Sequence, residues 1–464
     1  MPRYGRAALV LILSLAYLAS VFQIFSRNFW EAGIGDWVDP YFINFLLEHW
    51  YRGHLSLPMY FPAPHTLGYS HTLILFAPFY AAVRPFFHPF VAHNLTLLLV
   101  IETGIGCLYV LLRKFANLSA IESVVLCAFF FTSQNVISGA MASWTQRASV
   151  FLIPPILLLT LISVGRPLLA ALSGLLAALL LLQDYPTALF TAFMFVLVCA
   201  PFARRIRATT WSLAYCAGVL VGVAIFLWIY VPAYREHSAY PPEQVLSVLS
   251  SYRHPYYTWR PFILVALVAA LTLRRYAAWF VLVSAIVLLI PIRFDSFSLW
   301  TNLFEHLPGF APIRHPMRVI YIYELAVILV TAALMIRASP KIRAAIVMIA
   351  VVLMATDWNR ATFFYGRPIA MYARWVSAPI AIDPRCKSFF FEVPEPPTHI
   401  SATQSISAMF IALNHGPPTL NGYSAWAPPG WTLANDAAVD RWIRRYGLTG
   451  VCVFDLERRT MRPR

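Results

Sequence analysis

The sequence predicts a polytopic α-helical membrane protein with outward-facing loops and a small C-terminal α/β domain. Three observations carry this: 60% of the 464 residues are hydrophobic, only 12% are charged, and the tail departs from the apolar pattern that fills the rest. Soluble domains carry about 25% charged residues. Mean hydropathy is +0.66. Lys and Arg number 35 against 20 Asp and Glu, but the basic residues fall in short clusters between apolar runs, not in one patch interleaved with aromatics. That is the signature of membrane topology, not of nucleic-acid binding.

The first apolar run, 7–25, follows Arg3 and Arg6 and, at about 1.5 Å per residue, is long enough to cross a bilayer. A cleavable signal peptide would share these features. The apolar core is long and no small-x-small site follows it, so a retained anchor with a cytoplasmic N-terminus is expected. Further spans are expected at 91–112, 118–137, 149–164, 168–182, 187–203, 211–231, 261–273, 277–292, 319–336 and 342–356, about eleven crossings by the window rule.

Segment 72–87 decides the topology. Counted as a crossing, it would turn Arg113-Lys114, Arg166, Arg204-Arg205-Arg207, Arg274-Arg275 and Arg337/Lys341/Arg343 outward; left out, it puts all of them in the cytoplasm, as the positive-inside bias requires. It is therefore expected to be re-entrant, or a kinked lead-in to the next helix, broken near Arg84-Pro85 and His88-Pro89. The transmembrane part then covers 1–357. The outer face holds the first loop (26–71), a short loop (138–147), two longer loops (232–260 and 293–318) and a tail of 358–464.

The tail is rich in Pro, with strand-like runs SFFFEV (388–393) and GVCVFDL (450–456) and a helix over 437–447 ending at Gly447. Among six cysteines, Cys107, Cys127, Cys199 and Cys216 lie in apolar runs as small hydrophobes. Cys386 and Cys452 accompany the two tail strands; a disulfide on an oxidising face and two independent buried thiols are both open. The sequons at Asn94 and Asn117 abut spans and read as chance.

The first outer loop contains GIGDWVDPYF, 33–42. Asp39 stands at an N-cap position, Pro40 at the first helical position and Gly53 beyond the end. Phe42, Phe45, Leu46 and Trp50 form one apolar stripe, which predicts a short helix lying along the membrane interface. Capping accounts for Asp39. Asp36, between a flexible Gly33-Ile34-Gly35 and Trp37, lacks such a reason and is a candidate general base toward a hydroxyl; a solvated loop acid is the plainer explanation.

The same loop continues PMYFPAPHTLGYSHTL, where Tyr60, His65, Tyr69 and His71 make a rigid, hydrogen-bonding surface suited to a sugar or polar headgroup. Interface packing would use the same residues. SWTQRAS supplies Gln146 and Arg147 in the short loop, and QDYP places Asp184 at a helix junction, where capping competes with acceptor or metal binding. In GFAPIRHPMRVIYIYE, Arg314, His315 and Arg318 crowd a helix start, a setting suited to a lipid-linked phosphate. Anionic headgroups in general are the simpler ligand. HExxH, CxxC, Walker and dinucleotide motifs are all missing from the sequence.

GDWVD, YFPAPHTLGYSHTL, IRHPMRV, the many-span body and the C-terminal outer domain together resemble the GT-C superfamily of integral-membrane glycosyltransferases, especially bacterial members that use polyprenyl-phosphate sugars. The resemblance implies a catalytic acid in the first outer loop, which maps to Asp36 or alternatively Asp39. It also implies donor-phosphate contacts from later loops, which map to Arg314 and Arg318, with His315 and Arg147 as further candidates. His65, Tyr69, His71, Gln146 and Asp184 are then candidates for the sugar or acceptor. Some branches use a divalent metal with acids in two loops, but SGAMASWTQRAS has no carboxylate there, so no metal site or cofactor is assigned. A WWDYG-type signature is missing too, which disfavours whole-glycan transfer to protein.

The expected protein is thus a bacterial inner-membrane transferase with a periplasmic C-terminal domain. Its partners would be a polyprenyl-phosphate sugar donor, the bilayer and an envelope glycan, lipid or protein acceptor, and no nucleic acid. A lipid-linked glycan transporter is the competing class and would need polar residues within spans, of which Glu102 is one. An inactive transferase-fold scaffold is the third.

Overall fold

The structure, a computed structural model, describes residues 3–36, 38–138, 145–201, 209–235, 249–251, 259–272, 276–295, 297–307, 309–310, 312–313, 315–356, 363–391, 399–424, 426–433 and 435–464. Most of them are helical, and every expected span carries a helix. Among the described residues four helices are long and apolar enough to cross a membrane: Pro89–Lys114, Thr145–Ile162, Thr210–Arg235 and Pro316–Met335. Several shorter apolar helices accompany them, among them Pro167–Gln183 and Tyr185–Cys199. This is the build of a helical membrane protein.

The chain divides into two compact units. The first comprises Met1–Gln23, Leu97–Val223 and Ala239–Phe363; the second comprises Ile24–Thr96, Ala224–Ser238 and Phe364–Arg464. The tail, expected as a domain of its own over 358–464, shares the second unit with the first loop and with 224–238.

In the first unit Val319–Met335 is the central helix. It packs against Ala120–Phe131, Tyr185–Cys199, Arg260–Thr272 and Ala277–Leu289, and most of its residues are buried. The run expected as one helix over 118–137 stops at Thr132, whose hydroxyl donates to the Ala128 carbonyl, and widens into a π-turn at Gln134–Ser138. Hydroxyl back-bonding of this kind weakens a helix locally. Elsewhere small residues let helices approach closely: a Cβ on Gly174 would strike the Tyr215 carbonyl, and one on Gly218 the Ala171 carbonyl. Such contacts replace hydrophobic driving force within lipid. Glu102, the polar residue expected within a span, accepts a 2.8 Å hydrogen bond from Ser14 of the first helix.

The second unit centres on a four-stranded sheet in the order Ala381–Ile382, Thr460–Pro463, Val451–Asp455, Ser388–Phe391. The two expected strands are parallel neighbours, with Phe389 opposite Cys452. The expected helix spans Asp436–Tyr446 and ends at Gly447 in the left-handed conformation, φ 60°, which glycine adopts without a Cβ penalty. Cys386 and Cys452 are joined by a disulfide with Cα atoms 5.5 Å apart, against a core of Phe389, Phe391, Ile411 and Phe454.

Helix Asp39–Tyr51 corrects the interfacial reading. Pro40 through His49 are all buried, because the helix is covered by His399–His415 on one side and Ala77–Val83 on another. Tyr41 stacks on Phe410 at 5.0 Å and meets the Ser407 hydroxyl; Phe45 meets Phe410 edge-on. Both Asn44 and Glu48, on the face expected to be wet, are inside. Segment 72–87 forms only the seven-residue helix Ala77–Val83, fastened through Tyr80 and Arg84 to Glu48. Seven residues span about 10 Å, far short of a bilayer.

Candidate functional site

The second unit gathers the acids of the first loop. Strand Ala32–Ile34 pairs antiparallel with Tyr365–Pro368, which sets Gly33 opposite Arg367. Asn94 locks that strand, accepting from the Ile34 amide and donating to the Phe29 and Ala32 carbonyls. It is fully buried, so the sequon there serves the fold. The chain then turns at Gly35, φ 84°, into the helix headed by Asp39.

Here the capping part expected of Asp39 falls to Asp36. The residue at the cap position is Val38, and Asp39 lies in the first turn. Asp36 does the capping: its Oδ1 accepts from the Val38 amide at 2.9 Å and the Asp39 amide at 3.1 Å, as an Asx turn does. Its other oxygen makes no hydrogen bond among the described residues, and the side chain is half-buried. Asp39 accepts from the Tyr423 hydroxyl at 2.5 Å, and Tyr423 lies edge-on to Phe42. Asp36 is thus a carboxylate with one oxygen fixed by backbone and the other open, the arrangement a general base needs.

Arg367 is the residue that sequence reading missed. It is wholly buried between the rings of Tyr41 and Phe90, 5.6 and 5.4 Å away, and donates from Nη2 to the Ile34 carbonyl. Its Nε and Nη1 find no hydrogen-bond partner among the described residues. Burial pulls the guanidinium down to about 9, with Tyr41 and Asp36 opposing. Glycine at 33 leaves room for it, since a Cβ there would lie 3.1 Å from Nη2. A buried cation with unmet donors is costly, and its only sequence trace is one arginine in YGRP.

Other candidates of this unit separate. His65 is exposed with φ 56°, His71 is half-buried, and Tyr69 is buried edge-on to Tyr60 at 5.9 Å. Tyr69 is therefore a packing residue with no open face for a sugar.

In the first unit, three candidates from three separate segments converge. Arg147 lies in the 3-10 stretch Thr145–Leu152, Asp184 joins Pro167–Gln183 to Tyr185–Cys199, and Arg318 ends the turn Pro316–Arg318 that leads into Val319–Met335. Arg318 donates from Nη1 to Asp184 Oδ1 at 2.6 Å. The Thr187 hydroxyl donates to Asp184 Oδ2, while Tyr321 feels Arg147, Arg318 and Asp184 together. All five are buried. Asp184 makes no side-chain cap bond to the following helix; it is an ion-pair partner. Gln146 is buried nearby in sequence, its carbonyl accepting from Ser149, which Gln183 reaches in turn. His315 is half-buried, and Arg314 lies outside the described residues.

A second buried polar group follows one turn further along the same helix. Glu324 accepts from the Ser133 hydroxyl at 2.6 Å and the Asn135 amide at 2.7 Å, with Arg260 3.8 Å away. The helix break at Thr132 is what presents Ser133 and Asn135. Among the described residues no group of three or more His, Cys, Asp or Glu is placed to hold a metal ion. No protein-family model matches the chain, and no curated protein is similar enough to count as a match.

Proposed function

We propose that the protein is a GT-C-like glycosyltransferase of the bacterial inner membrane, with about eleven crossings by the window rule. It would move a sugar from a polyprenyl-phosphate donor to an acceptor hydroxyl on the outer face, with inversion. The observation that carries this reading is Asp36: a half-buried carboxylate whose Oδ1 is held by two backbone amides and whose other oxygen can take the acceptor's proton as the anomeric carbon is attacked. Arg314 and His315 are the donor-phosphate candidates. Arg318, their neighbour in sequence, is engaged by Asp184 at the head of the following helix. Arginine beside a departing phosphate stabilises its developing charge.

The test is transfer by the purified full chain in nanodiscs, using a radiolabelled polyprenyl-phosphate sugar and membrane acceptors. Loss of transfer in Asp36→Asn, with an unchanged unfolding midpoint, is expected; full activity in that variant would sink the assignment. One observation favours a transporter instead: Glu324, Arg260 and Asn135 form a buried polar group along apolar helices, as a translocation path would. Translocation of the lipid-linked sugar across proteoliposomes, without transfer, would establish that class.

A further inference from the structure

Within the second unit, the loop between the short helix Ala77–Val83 and the long apolar helix Pro89–Lys114 opens a cleft of about 520 Å³. Its polar wall is Arg52, Arg84, His88, Asn414 and His415, and its rim carries Phe86 and Phe87. Two guanidiniums there face one carboxylate, Glu48, which is buried and bound to Arg84, with Arg52 at 3.9 Å. The cleft therefore keeps an excess positive charge.

Its donors are only partly used. Arg52 spends Nη1 on the Leu413 carbonyl, and its side chain is 35% exposed. Arg84 spends bonds on Glu48 and the Phe87 carbonyl. His88 accepts the Phe90 amide at Nδ1, which leaves the proton on Nε2 as a donor. Burial, then the Arg84 charge, pulls this histidine down to about 4, so it acts as a neutral donor near pH 7. The 26-residue helix Pro89–Lys114 starts at this cleft, and the positive end of its dipole favours an anion there. Phe86, 78% exposed, stands beside this charge at the start of a helix able to cross a membrane.

We propose that this cleft binds the phosphodiester headgroup of an anionic membrane phospholipid, with the guanidinium of Arg52 and the His88 ring on the phosphate and an acyl chain along Phe86 and Phe87. A soluble anion would have no use for the aromatic rim, and a neutral lipid none for the charge. The inference rests on the membrane build of the chain and not on sugar transfer.

The test uses the purified full chain in detergent, presented with phosphatidylglycerol, phosphatidylcholine or inorganic phosphate, and read by lipid adducts in native mass spectrometry. Arg52→Gln leaves the Glu48–Arg84 pair in place, and an unchanged unfolding midpoint is the accompanying control for its fold. Retention of phosphatidylglycerol over phosphatidylcholine is expected, falling about tenfold in Arg52→Gln, the loss of one charge-assisted bond. Phe86→Ser should weaken lipid binding as well. Equal retention by wild type and Arg52→Gln overturns the proposal. Displacement of the lipid by millimolar phosphate, with Phe86→Ser unchanged, makes the cleft a free-phosphate site and overturns it equally.

Discussion

Arg318 Nη1 lies 2.6 Å from Asp184 Oδ1 inside the first unit, with both side chains shielded from solvent. Taking two charges out of water is costly, and the pair holds because each compensates the other while Thr187 fills the second carboxylate oxygen. Removing one partner leaves the other charge buried without its ion-pair counterpart. Asp184→Asn or Arg318→Gln alone is expected to cost about 3–5 kcal/mol, whereas the double variant should cost less than the sum of the two. Unfolding midpoints of the purified variants, followed by tryptophan fluorescence, give the coupling directly.

Asp36 and Asp39 are separable by substitution because asparagine caps a helix about as well as aspartate. Asp36→Asn keeps an oxygen for the Val38 and Asp39 amides and loses only the basic carboxylate. Its unfolding midpoint should stay put while transfer falls about 100-fold or more. Asp36→Ala should lose about 1 kcal/mol in addition. Asp39→Asn can still accept from Tyr423 and should retain transfer. Initial rates and midpoints on the same samples distinguish the three.

Much of this arrangement was legible in the sequence, and the remainder fails for identifiable reasons. Apolar length alone located the helices, and the αL requirement at Gly447 located the end of Asp436–Tyr446. The transfer of capping from Asp39 to Asp36 turns on where a helix begins, which local pattern fixes only to within a residue or two. The stripe Phe42, Phe45, Leu46 and Trp50 describes one apolar face. It carries no sign that His399–His415, some 350 residues later, covers the rest. Glu324 and Arg260 sit in or beside apolar runs, where the sequence cannot tell a buried partner from a lipid face. Arg367 depends on a pairing between strands Ala32–Ile34 and Tyr365–Pro368, far apart in the sequence.

Acid should loosen the second unit through His49. The ring is fully buried in Asp39–Tyr51, and burial first, then the charge of His54, pull it from an ordinary 6.5 down to about 4. Between these values the unfolded chain binds more protons than the folded one, so stability rises with pH. The contribution is complete above about pH 6.5 and is lost as pH falls toward 4, a change of about 3 kcal/mol. Midpoints measured from pH 7 to 4 should fall for the wild type and fall less in His49→Gln, where His88, also pulled down to about 4, still contributes.

The disulfide closes a chain segment of 66 residues, and the chain-entropy relation assigns about 4 kcal/mol to such a loop. Reductant should lower the midpoint of the transition that exposes the tail sheet. Cys386→Ser/Cys452→Ser should start from the lowered midpoint and ignore reductant. Cys107, Cys127, Cys199 and Cys216 are free thiols, so thiol labelling after reduction should gain two equivalents in the wild type alone, two being the cysteines of the bridge.

Helix contact in the first unit rests on missing side chains. Gly218 meets the Ala171 carbonyl, and Gly174 the Tyr215 carbonyl, so each glycine of the two helices seats against backbone of the other. Backbone cannot swing aside as a flexible side chain can, and an added methyl must push the helices apart along their whole contact. Gly218→Ala should therefore destabilise by about 1–3 kcal/mol, the usual cost of overpacking, despite alanine's better helix propensity. Leu220, two residues along and 69% exposed, provides the contrast: Leu220→Ala should stay within about 0.5 kcal/mol of wild type. Midpoints of the two variants in the same detergent decide it, and equal midpoints would mean that the close approach of these helices does not hold the unit together.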